Sequence, residues 1–565
     1  MARFNSDTSL SDKDEKYEVA SEERHSSSTR GAVLVTSDYG IYKAALEEQE
    51  RRRRREEREA KGAMEVDDDL DIEKQSVASF KTASSSLNLP ERYEPAAEEP
   101  YATDPNVVDW DGPNDPANPM NWPKSRKWLM ISVVSALTFL IPLGSSMFAP
   151  GVPELMEEFG SNSEVLAGFV VSIYVLGFAF GPLIIAPLSE MYGRLPLYHV
   201  CSVLFIVFMV ACALSKNLAM LIVFRFLAGT VGGAPLTLGG GTIADLVPPK
   251  DRGTAMAIWV AGPTIAPVIG PVGGGFLAQA VSWRWVFWVV SIATGVITII
   301  GFILMRETYP VAILNAKVRR LRKETGNQAL RSKLDSGLGA HALFLRSIVR
   351  PAKMLIFSPI VFLLSLYVAV AYSYLYILFT TFTTVFESSY GFSPGIAGLT
   401  YLGVGVGCVL GQWAFTVFGN RIAREHLEKG DFVPEHRLPL MFPGAITMPV
   451  GFFIYGWCVQ YQVHWIVPII GTGFIGFGLM LLFMAPNTYL VDVYTMHAAS
   501  AMAANTVLRS TFAAFIPLAG QPMYRALGLG WGNSLLGFVA IALIPIPLLF
   551  VKYGATLRTR FVVKL

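Results

Sequence analysis

Hydrophobic and polar residues alternate along this chain in long blocks. Residues 1 to about 127 are crowded with charged residues and serine, whereas long uncharged stretches begin at Trp128. A helix needs about 20 mostly apolar residues to cross a bilayer. Windows of that length predict six membrane spans, a long charged connection and then six more spans. They lie near 128–150, 165–188, 197–215, 219–245, 254–278, 284–305, 356–383, 395–418, 438–459, 464–487, 496–519 and 531–552.

This pattern predicts an all-α membrane protein with twelve transmembrane helices in two six-helix halves. The polar segments complete the division of the chain. We expect a disordered tail, a lead-in rich in Pro and Trp, a first half, a central loop, a second half and a short second tail. These parts cover residues 1–107, 108–127, 128–305, 306–355, 356–552 and 553–565.

Lys and Arg residues concentrate in alternate loops, which indicates how the spans are oriented. The loops on the side of the N-terminal tail contain Arg194, Arg252 and Arg421, whereas the loop after the first span contains four Glu and no basic residue. Cytosolic loops of membrane proteins are enriched in Lys and Arg. Both termini are therefore expected in the cytosol.

The composition narrows the classes of function. The chain is 52% hydrophobic and 16% charged, whereas soluble domains are roughly a quarter charged. The four cysteines all lie inside apolar stretches, which predicts packing rather than redox or metal chemistry. No nucleophile–base pair, metal cluster or nucleotide loop stands out in the sequence, so we expect neither an enzyme nor a cofactor.

An arginine run, Arg51–Arg55, lies in the polar tail next to several Glu residues. It could contact anionic membrane lipid or act as a targeting address. The alternative is a solvated, disordered regulatory tail, in which neighbouring Glu residues weaken attraction to lipid. We expect no binding of nucleic acid, because the run precedes a body of membrane spans.

Two motifs place charges at the end of one predicted span and within another. Glu190, Gly193 and Arg194 follow the second predicted span, where the charges could pair with helix ends and stabilise one conformation. Arg225 lies within the fourth span, where a cation costs a few kcal/mol and should face the bundle interior with a partner. The alternatives are an ordinary charged turn for the first motif and snorkelling to the interface for Arg225.

The fifth predicted span contains many residues that weaken a helix. Gly262-Pro263 precedes the segment Pro267 to Gly275, which includes Gly270 and Pro271. Such a span is pliable and offers a flat face that can seal against a neighbouring helix. The alternative is close packing of small residues with no further role.

Together these motifs resemble the major facilitator superfamily, and within it the fungal twelve-span drug:proton antiporters that include polyamine and multidrug exporters. The segment Glu190 to Arg194 is similar to the family's loop motif after the second span. Arg225 to Gly232 resembles its motif in the fourth span. Gly262 to Gly275 resembles the fifth-span motif that is associated with antiporters. Further similar segments are Asp115 to Pro123, Arg306 to Tyr309, and Ala503 to Thr506 with Arg509.

The resemblance implies a two-half bundle with a central cavity that opens alternately to each side. It implies secondary active export of small amphipathic molecules, such as drugs, toxins or secondary metabolites, in exchange for protons. The expected partners are the small-molecule substrate, protons and membrane lipid. We expect a monomer in the plasma membrane, with the vacuolar membrane as the alternative.

Proton exchange requires a group that releases a proton when substrate arrives, and a buried carboxylate would serve. Three candidates lie at or just beyond the ends of predicted spans, which are Asp245, Glu387 and Asp492. His199 could titrate near neutral pH, but an interfacial packing role fits it better. We hypothesise that Asp245 and Arg225 contribute to proton coupling, with Glu190, Arg194, Gly270 and Pro271 in gating.

Aromatic and flexible side chains in two spans are candidates for substrate binding. In the seventh span, Tyr372, Tyr376 and Phe379 share one helix face. In the tenth span, Met480, Phe483 and Asn487 form a second stripe, in which Met can adapt to varied shapes. The alternative for both stripes is contact with lipid or with other helices. Since few charges line these spans, bulky, amphipathic or weakly cationic cargo is favoured over sugars and phosphates.

Two other functions fit the same sequence. One is a facilitator or importer on the same fold, for polyamines or small nutrients. The other is a receptor or scaffold that signals through the long tail without transport. Efflux that a protonophore abolishes distinguishes the exporter from the importer, and flux in proteoliposomes distinguishes both from the receptor.

Overall fold

The computed structural model describes residues 106–248, 251–334, 340–494 and 497–560. The predicted tail, with its Arg51–Arg55 run, lies outside the described residues apart from its last two positions. Within the described part, α-helices dominate, and the single sheet has two short strands, β1 and β2.

The first half of the bundle is built from six long helices and one short one. Their bounds match the predicted spans to within a few residues, because a long uncharged stretch specifies a spanning helix locally. The helices are α1 Lys124–Ser146, the short α2 Val152–Glu158, α3 Glu164–Tyr192, α4 Arg194–Ala213, α5 Leu218–Leu246, α6 Arg252–Ala280 and α7 Arg284–Leu304.

Two helices of the charged connection precede the second half. These are α8 Pro310–Thr325 and α9 Ala340–Phe357. The second half then comprises α10 Pro359–Tyr390, the short α11 Pro394–Leu399, α12 Tyr401–Lys429, α13 Met441–Gln460, α14 Ile466–Val493, α15 Ala498–Phe515, α16 Gly520–Ala542 and α17 Pro545–Arg560.

Length and hydropathy identify eleven stretches of the described chain that could cross a membrane, and the last of them, Ala498–Arg558, has 61 residues. A helix of that length would measure about 90 Å, three times the hydrocarbon core of a bilayer. Gly528 interrupts it with φ 75° and ψ 170°. Beyond this break, the Gln460 side chain accepts hydrogen bonds from the backbone N–H groups of Leu529 and Gly530. The chain therefore crosses twice here, giving twelve crossings.

Small residues set the packing inside each half. In the first half, α3 and α5 cross so closely that a Cβ on Gly229 would overlap the backbone carbonyl of Tyr174. In the second half, α12 and α14 approach in the same way at Gly407 and Gly473. Because lipid supplies no hydrophobic force between helices, such close contact is a main source of their association. The two halves thus repeat one packing scheme.

A strap before α1 ties the start of the described chain to the central connection. Strand β1 (Val107–Val108) pairs in parallel with β2 (Arg331–Ser332). Lys333 Nζ lies 2.6 Å from Asp109 Oδ2, and this hydrogen bond lowers the pKa of the Asp109 carboxyl group. The strap and the central connection therefore mark one side of the bundle, called the terminal side below. The opposite side is called the far side.

Candidate functional site

Arg225, the cation of the fourth predicted span, lies in α5 and is completely buried. Its Nη2 donates to two backbone carbonyl oxygens, those of Ser145 in α1 at 3.3 Å and Val171 in α3 at 3.4 Å. Its guanidinium carbon also lies 4.8 Å from the ring centroid of Phe148 and 5.2 Å from that of Tyr174. Complete burial excludes the alternative of snorkelling to the interface in this conformation.

The partners of Arg225 are ring faces and carbonyls rather than a carboxylate. Its Nε and Nη1 are buried and have no hydrogen-bond partner. A cation inside a span is costly, and ring faces attract it through their quadrupole. Asp245, the other residue of the proposed coupling pair, lies twenty residues further along the same helix, about 30 Å away. The two side chains therefore do not meet.

A second arginine, Arg509, lies deep in the other half of the bundle. It belongs to α15, and its guanidinium carbon lies 4.5 Å from the ring centroid of Tyr372 and 5.0 Å from that of Phe483. The Tyr372 and Phe483 rings stack with their centroids 6.2 Å apart. The Nε of Arg509 is buried and has no hydrogen-bond partner. The guanidinium group of Arg509 therefore lies over the rings of an aromatic pair from α10 and α14.

The aromatic residues of α10 connect the two arginines. Tyr376 lies with its ring centroid 5.4 Å from that of Tyr372 and also 5.4 Å from that of Phe379. Its hydroxyl is 3.2 Å from the hydroxyl of Ser145, whose carbonyl accepts from Arg225. The predicted stripe of three aromatic residues therefore lies together, where the two halves meet. This cluster, with Phe483 and the two arginines, is called the central cluster below.

The stripe predicted in the tenth span divides between two environments. Phe483 belongs to the central cluster, and Asn487 lies one helical turn away, where its Oδ1 accepts from Nδ2 of Asn505 at 2.6 Å. Met480 faces α12 instead, since a Cβ at Gly411 would lie 2.9 Å from its Cβ. The structure thus brings Phe483 and Asn487 towards the interface between the halves and places Met480 against a neighbouring helix.

At the terminal side of the first half, Arg194 forms an ion pair with Asp245. Its Nε lies 2.5 Å from Asp245 Oδ2, which joins the start of α4 to the end of α5. The Glu307 carboxylate accepts from the backbone N–H groups of Arg194 and Leu195 at 3.0 and 3.1 Å, so it caps the N-terminus of α4. Gly193 precedes this helix with φ 97°, a conformation that favours glycine.

Glu190 lies exposed at the end of α3 on the same side.

The second half repeats the Arg194–Asp245 arrangement. Arg437 Nε lies 3.0 Å from Asp492 Oδ2, again between the start of one spanning helix and the end of the next. Glu387, the third candidate carboxylate, lies near the far-side end of α10. His199 stacks on Phe302 at 4.0 Å between ring centroids, which agrees with a packing role.

Gly270 and Pro271 lie where α6 contacts both α1 and the second half. A Cβ on Gly270 would overlap the Ser146 hydroxyl, and one on Gly274 would overlap the Met147 carbonyl. A Cβ on Gly398 in α11 would lie 2.5 Å from the carbonyl oxygen of Pro271. The small residues of the fifth predicted span therefore permit α6 to pack tightly on its neighbours.

Sequence reasoning did not assign a site role to Arg509, Asn505 or Ser145. Arg509 carried a usable signal, because it is a cation deep within an apolar stretch, as Arg225 is. Asn505 lies in a segment that resembles the family, Ala503 to Thr506, whereas Ser145 gave no signal, since single small polar residues are common in spans. Among the described residues, no group of three or more His, Cys, Asp or Glu side chains could hold a metal ion.

Comparison with known proteins agrees with this architecture. The family model described as Major Facilitator Superfamily matches residues 134–518. The chain is 54% identical over 467 residues to "Efflux pump radE" of Floropilus chiversii, covering 82% of this chain and 87% of that protein. It is 54% identical over 457 residues to "MFS-type transporter penM" of Penicillium rubens, covering 81% of this chain and 90% of that protein.

Among solved structures, the chain is similar to a D-xylose-proton symporter, with a TM-score of 0.58 and 17% sequence identity over 75% of this chain and 97% of that one. It also resembles a bacterial homolog of the human lysosomal transporter Spinster in an inward-facing, unoccupied conformation, with a TM-score of 0.54, 13% identity, and coverage of 78% and 100%. At these identities the likeness concerns the fold alone.

Twelve crossings in two packed halves, with an aromatic cluster where the halves meet and an arginine deep within each half, are typical of a polytopic membrane transporter. The chain belongs to the Major Facilitator Superfamily. It is a multi-pass membrane protein that transports small molecules and is not an enzyme.

Proposed function

We propose that this transporter exports small amphipathic molecules in exchange for protons, by alternating access, as a monomer in the plasma membrane with both termini in the cytosol. The proposal depends most on the central cluster, which combines ring faces with polar groups where the halves meet. A relative 54% identical to this chain is named an efflux pump, which supports the direction of transport.

Contacts between the halves support an alternating mechanism. Arg525 forms an ion pair with Glu164, the Gln279 side chain accepts from the Gly395 backbone N–H at 3.1 Å, and the Ser172 hydroxyl donates to the Ala514 carbonyl at 2.7 Å. These contacts, and the hydroxyl contact between Ser145 and Tyr376, lie at mid-depth or on the far side. Such an arrangement suits a conformation that is closed on the far side.

The terminal side suits the cytosolic face. The helix ends on this side include Arg194, Arg252 and Arg421, in keeping with the preference of Lys and Arg for that face. A substrate from the cytosol would then approach the central cluster from the terminal side. Rocking of the halves would open the far side and release the substrate outside.

For the proton, Asp245 is the carboxylate best supported by its contacts. Its ion pair with Arg194 joins α4 to α5 beside the terminal side. Protonation would remove the negative charge, and Arg194 would lose its partner. The end of α5 could then move relative to α4, so protonation of Asp245 could help reset the transporter. Arg225 in the same helix would transmit this movement to α1 and α3 through the two carbonyls that it binds.

Asp245→Asn tests this assignment. Loss of one charge-assisted hydrogen bond, about 1.5 kcal/mol, should lower proton-driven export by about tenfold and flatten its dependence on external pH. Glu387→Gln, a matched change near the far-side end of α10, should keep that dependence. Full proton-driven export by Asp245→Asn would show that Asp245 is not the coupling carboxylate.

The function itself is tested by efflux and resistance in a strain that lacks this chain, at several external pH values, with and without restored expression. The proposal expects export that is faster at acidic external pH and abolished by a protonophore. Uptake in place of export would favour the importer, and no flux in proteoliposomes would favour the receptor.

A further inference from the structure

Arg225 and Arg509 are the charged residues that lie deep within the spans. Every Asp and Glu in the spanning helices lies within four residues of a helix end, as Glu164, Asp245, Glu387 and Asp492 illustrate. Among the described residues, the middle of the spanning helices therefore contains two positive charges and no negative one. A charge in a membrane span ordinarily pairs with an opposite charge or with carbonyls. Arg225 follows this rule through two carbonyls, whereas Arg509 has only ring contacts.

The contacts of Arg509 leave its hydrogen-bonding capacity free. Tyr372 and Phe483 contact its guanidinium through ring faces, and ring faces do not satisfy N–H groups that point outward in the guanidinium plane. No described residue accepts a hydrogen bond from it, and its buried Nε has no partner. Unlike Arg225, Arg509 is only partly buried, so an incoming molecule can reach it.

The surroundings of Arg509 add apolar surface and further polar groups. The Tyr372, Tyr376 and Phe379 rings follow one another along α10. One turn of α15 from Arg509, the amide of Asn505 has a buried Oδ1 with no hydrogen-bond partner. The cluster thus offers apolar ring surface beside the cationic end that Arg509 provides.

We infer that the central cluster selects amphipathic weak acids, molecules with an apolar ring body and one ionised acidic group, and that Arg509 binds the anion. This inference rests on the proposed function and specifies its substrate class. The planar guanidinium fork matches a carboxylate with two parallel hydrogen bonds, while the ring body stacks on the aromatic residues of α10.

The same electrostatics disfavours cations. A positively charged ligand would enter a region of low dielectric that already holds two guanidinium groups, and like charges repel strongly there. Among the residues that the structure describes, no carboxylate deep within the spans would offset that repulsion. The scarcity of charges in the sequence favoured weakly cationic substrates. The two arginines deep within the spans favour weakly acidic substrates instead.

Binding of three biphenyl probes tests the inference. Biphenyl-4-carboxylate, its neutral carboxamide and the biphenyl-4-methylammonium ion share one ring body and differ in charge. Equilibrium dialysis with the full chain in nanodiscs of uncharged lipid, with empty nanodiscs subtracted, gives the three affinities. We expect the carboxylate to bind at least about tenfold more tightly than the ammonium ion.

Arg509→Gln should abolish this preference while the carboxamide still binds within about twofold of its original affinity. Arg509→Lys, which keeps the charge, should retain a reduced preference and covers the case in which the glutamine variant does not fold. Arg421→Gln, a matched change in an exposed i,i+4 pair with Glu425, should change none of the affinities.

Equal binding of acid and ammonium ion, no binding of the acid, or a preference that survives Arg509→Gln would overturn the inference. These outcomes are independent of proton-driven export. If proton-driven export persists but the acid is not preferred, only the inferred substrate class is wrong. If proton-driven export is absent, the proposed function is wrong.

Discussion

Replacing Arg225 with methionine is expected to lower export by about a hundredfold while leaving the folded protein at least as stable as the wild type. The guanidinium binds carbonyls of both α1 and α3, and two charge-assisted hydrogen bonds at about 1.5 kcal/mol each correspond to that factor. Stability should not fall, because a buried cation without a carboxylate is itself costly. Function and stability should therefore change in opposite directions, as at many functional sites.

Export and thermal unfolding of the purified chain measure the two effects. Arg320→Met, in an exposed i,i+4 pair with Glu324, is the matched control and should leave both nearly unchanged, since such pairs contribute little. Arg225→Lys should fall between the wild type and the methionine variant. If Arg225→Met exported at the wild-type rate, or unfolded at a markedly lower temperature, Arg225 would be a structural residue.

Two adjacent glycines of α6 should respond in opposite ways to alanine. A Cβ on Gly274 would overlap the Met147 carbonyl, whereas a Cβ on Gly273 would meet only Met147 Cε, at 3.7 Å. We expect Gly274→Ala to destabilise the protein by about 1–3 kcal/mol through overpacking and to impair export. Gly273→Ala should be neutral or stabilising by up to about 1 kcal/mol, because alanine favours the helix.

Thermal unfolding and export of the two variants, measured side by side, test whether α6 acts through close contact with α1. The pair is well matched, since both substitutions add one methyl group to the same helical turn. Equal effects of the two substitutions would contradict the packing described for α6 and would weaken the gating role proposed for Gly270 and Pro271.

The sequence predicted the helices well because each span is specified by its own residues. Apolar length alone located α7, predicted over 284–305 and observed at Arg284–Leu304. The predicted ends were less accurate where a helix continues beyond its apolar stretch. The seventh predicted span ends at 383, but α10 continues through Glu387 to Tyr390 and stops where Gly391 adopts φ 67°. The charged connection, expected as a loop, contains α8 and α9.

The site was harder to predict, because its contacts join residues that are far apart in the chain. Helix periodicity placed Tyr372, Tyr376 and Phe379 on one face, and they do lie together. It could not show that Arg194 reaches Asp245. Nor could it show that ring faces surround Arg509. Such facts depend on how whole helices cross.

The central claim is that the two halves open alternately to the two sides, and distances between spin labels on both sides test it most directly. One pair of labels would replace Asn162 and Ala526 on the far side, and the other Tyr192 and Lys429 on the terminal side. All four positions are exposed, and the background would have the four cysteines replaced by alanine. The account predicts that a change of pH or addition of biphenyl-4-carboxylate lengthens one distance while it shortens the other. Distances that stay fixed under all conditions, or that lengthen together, would contradict it.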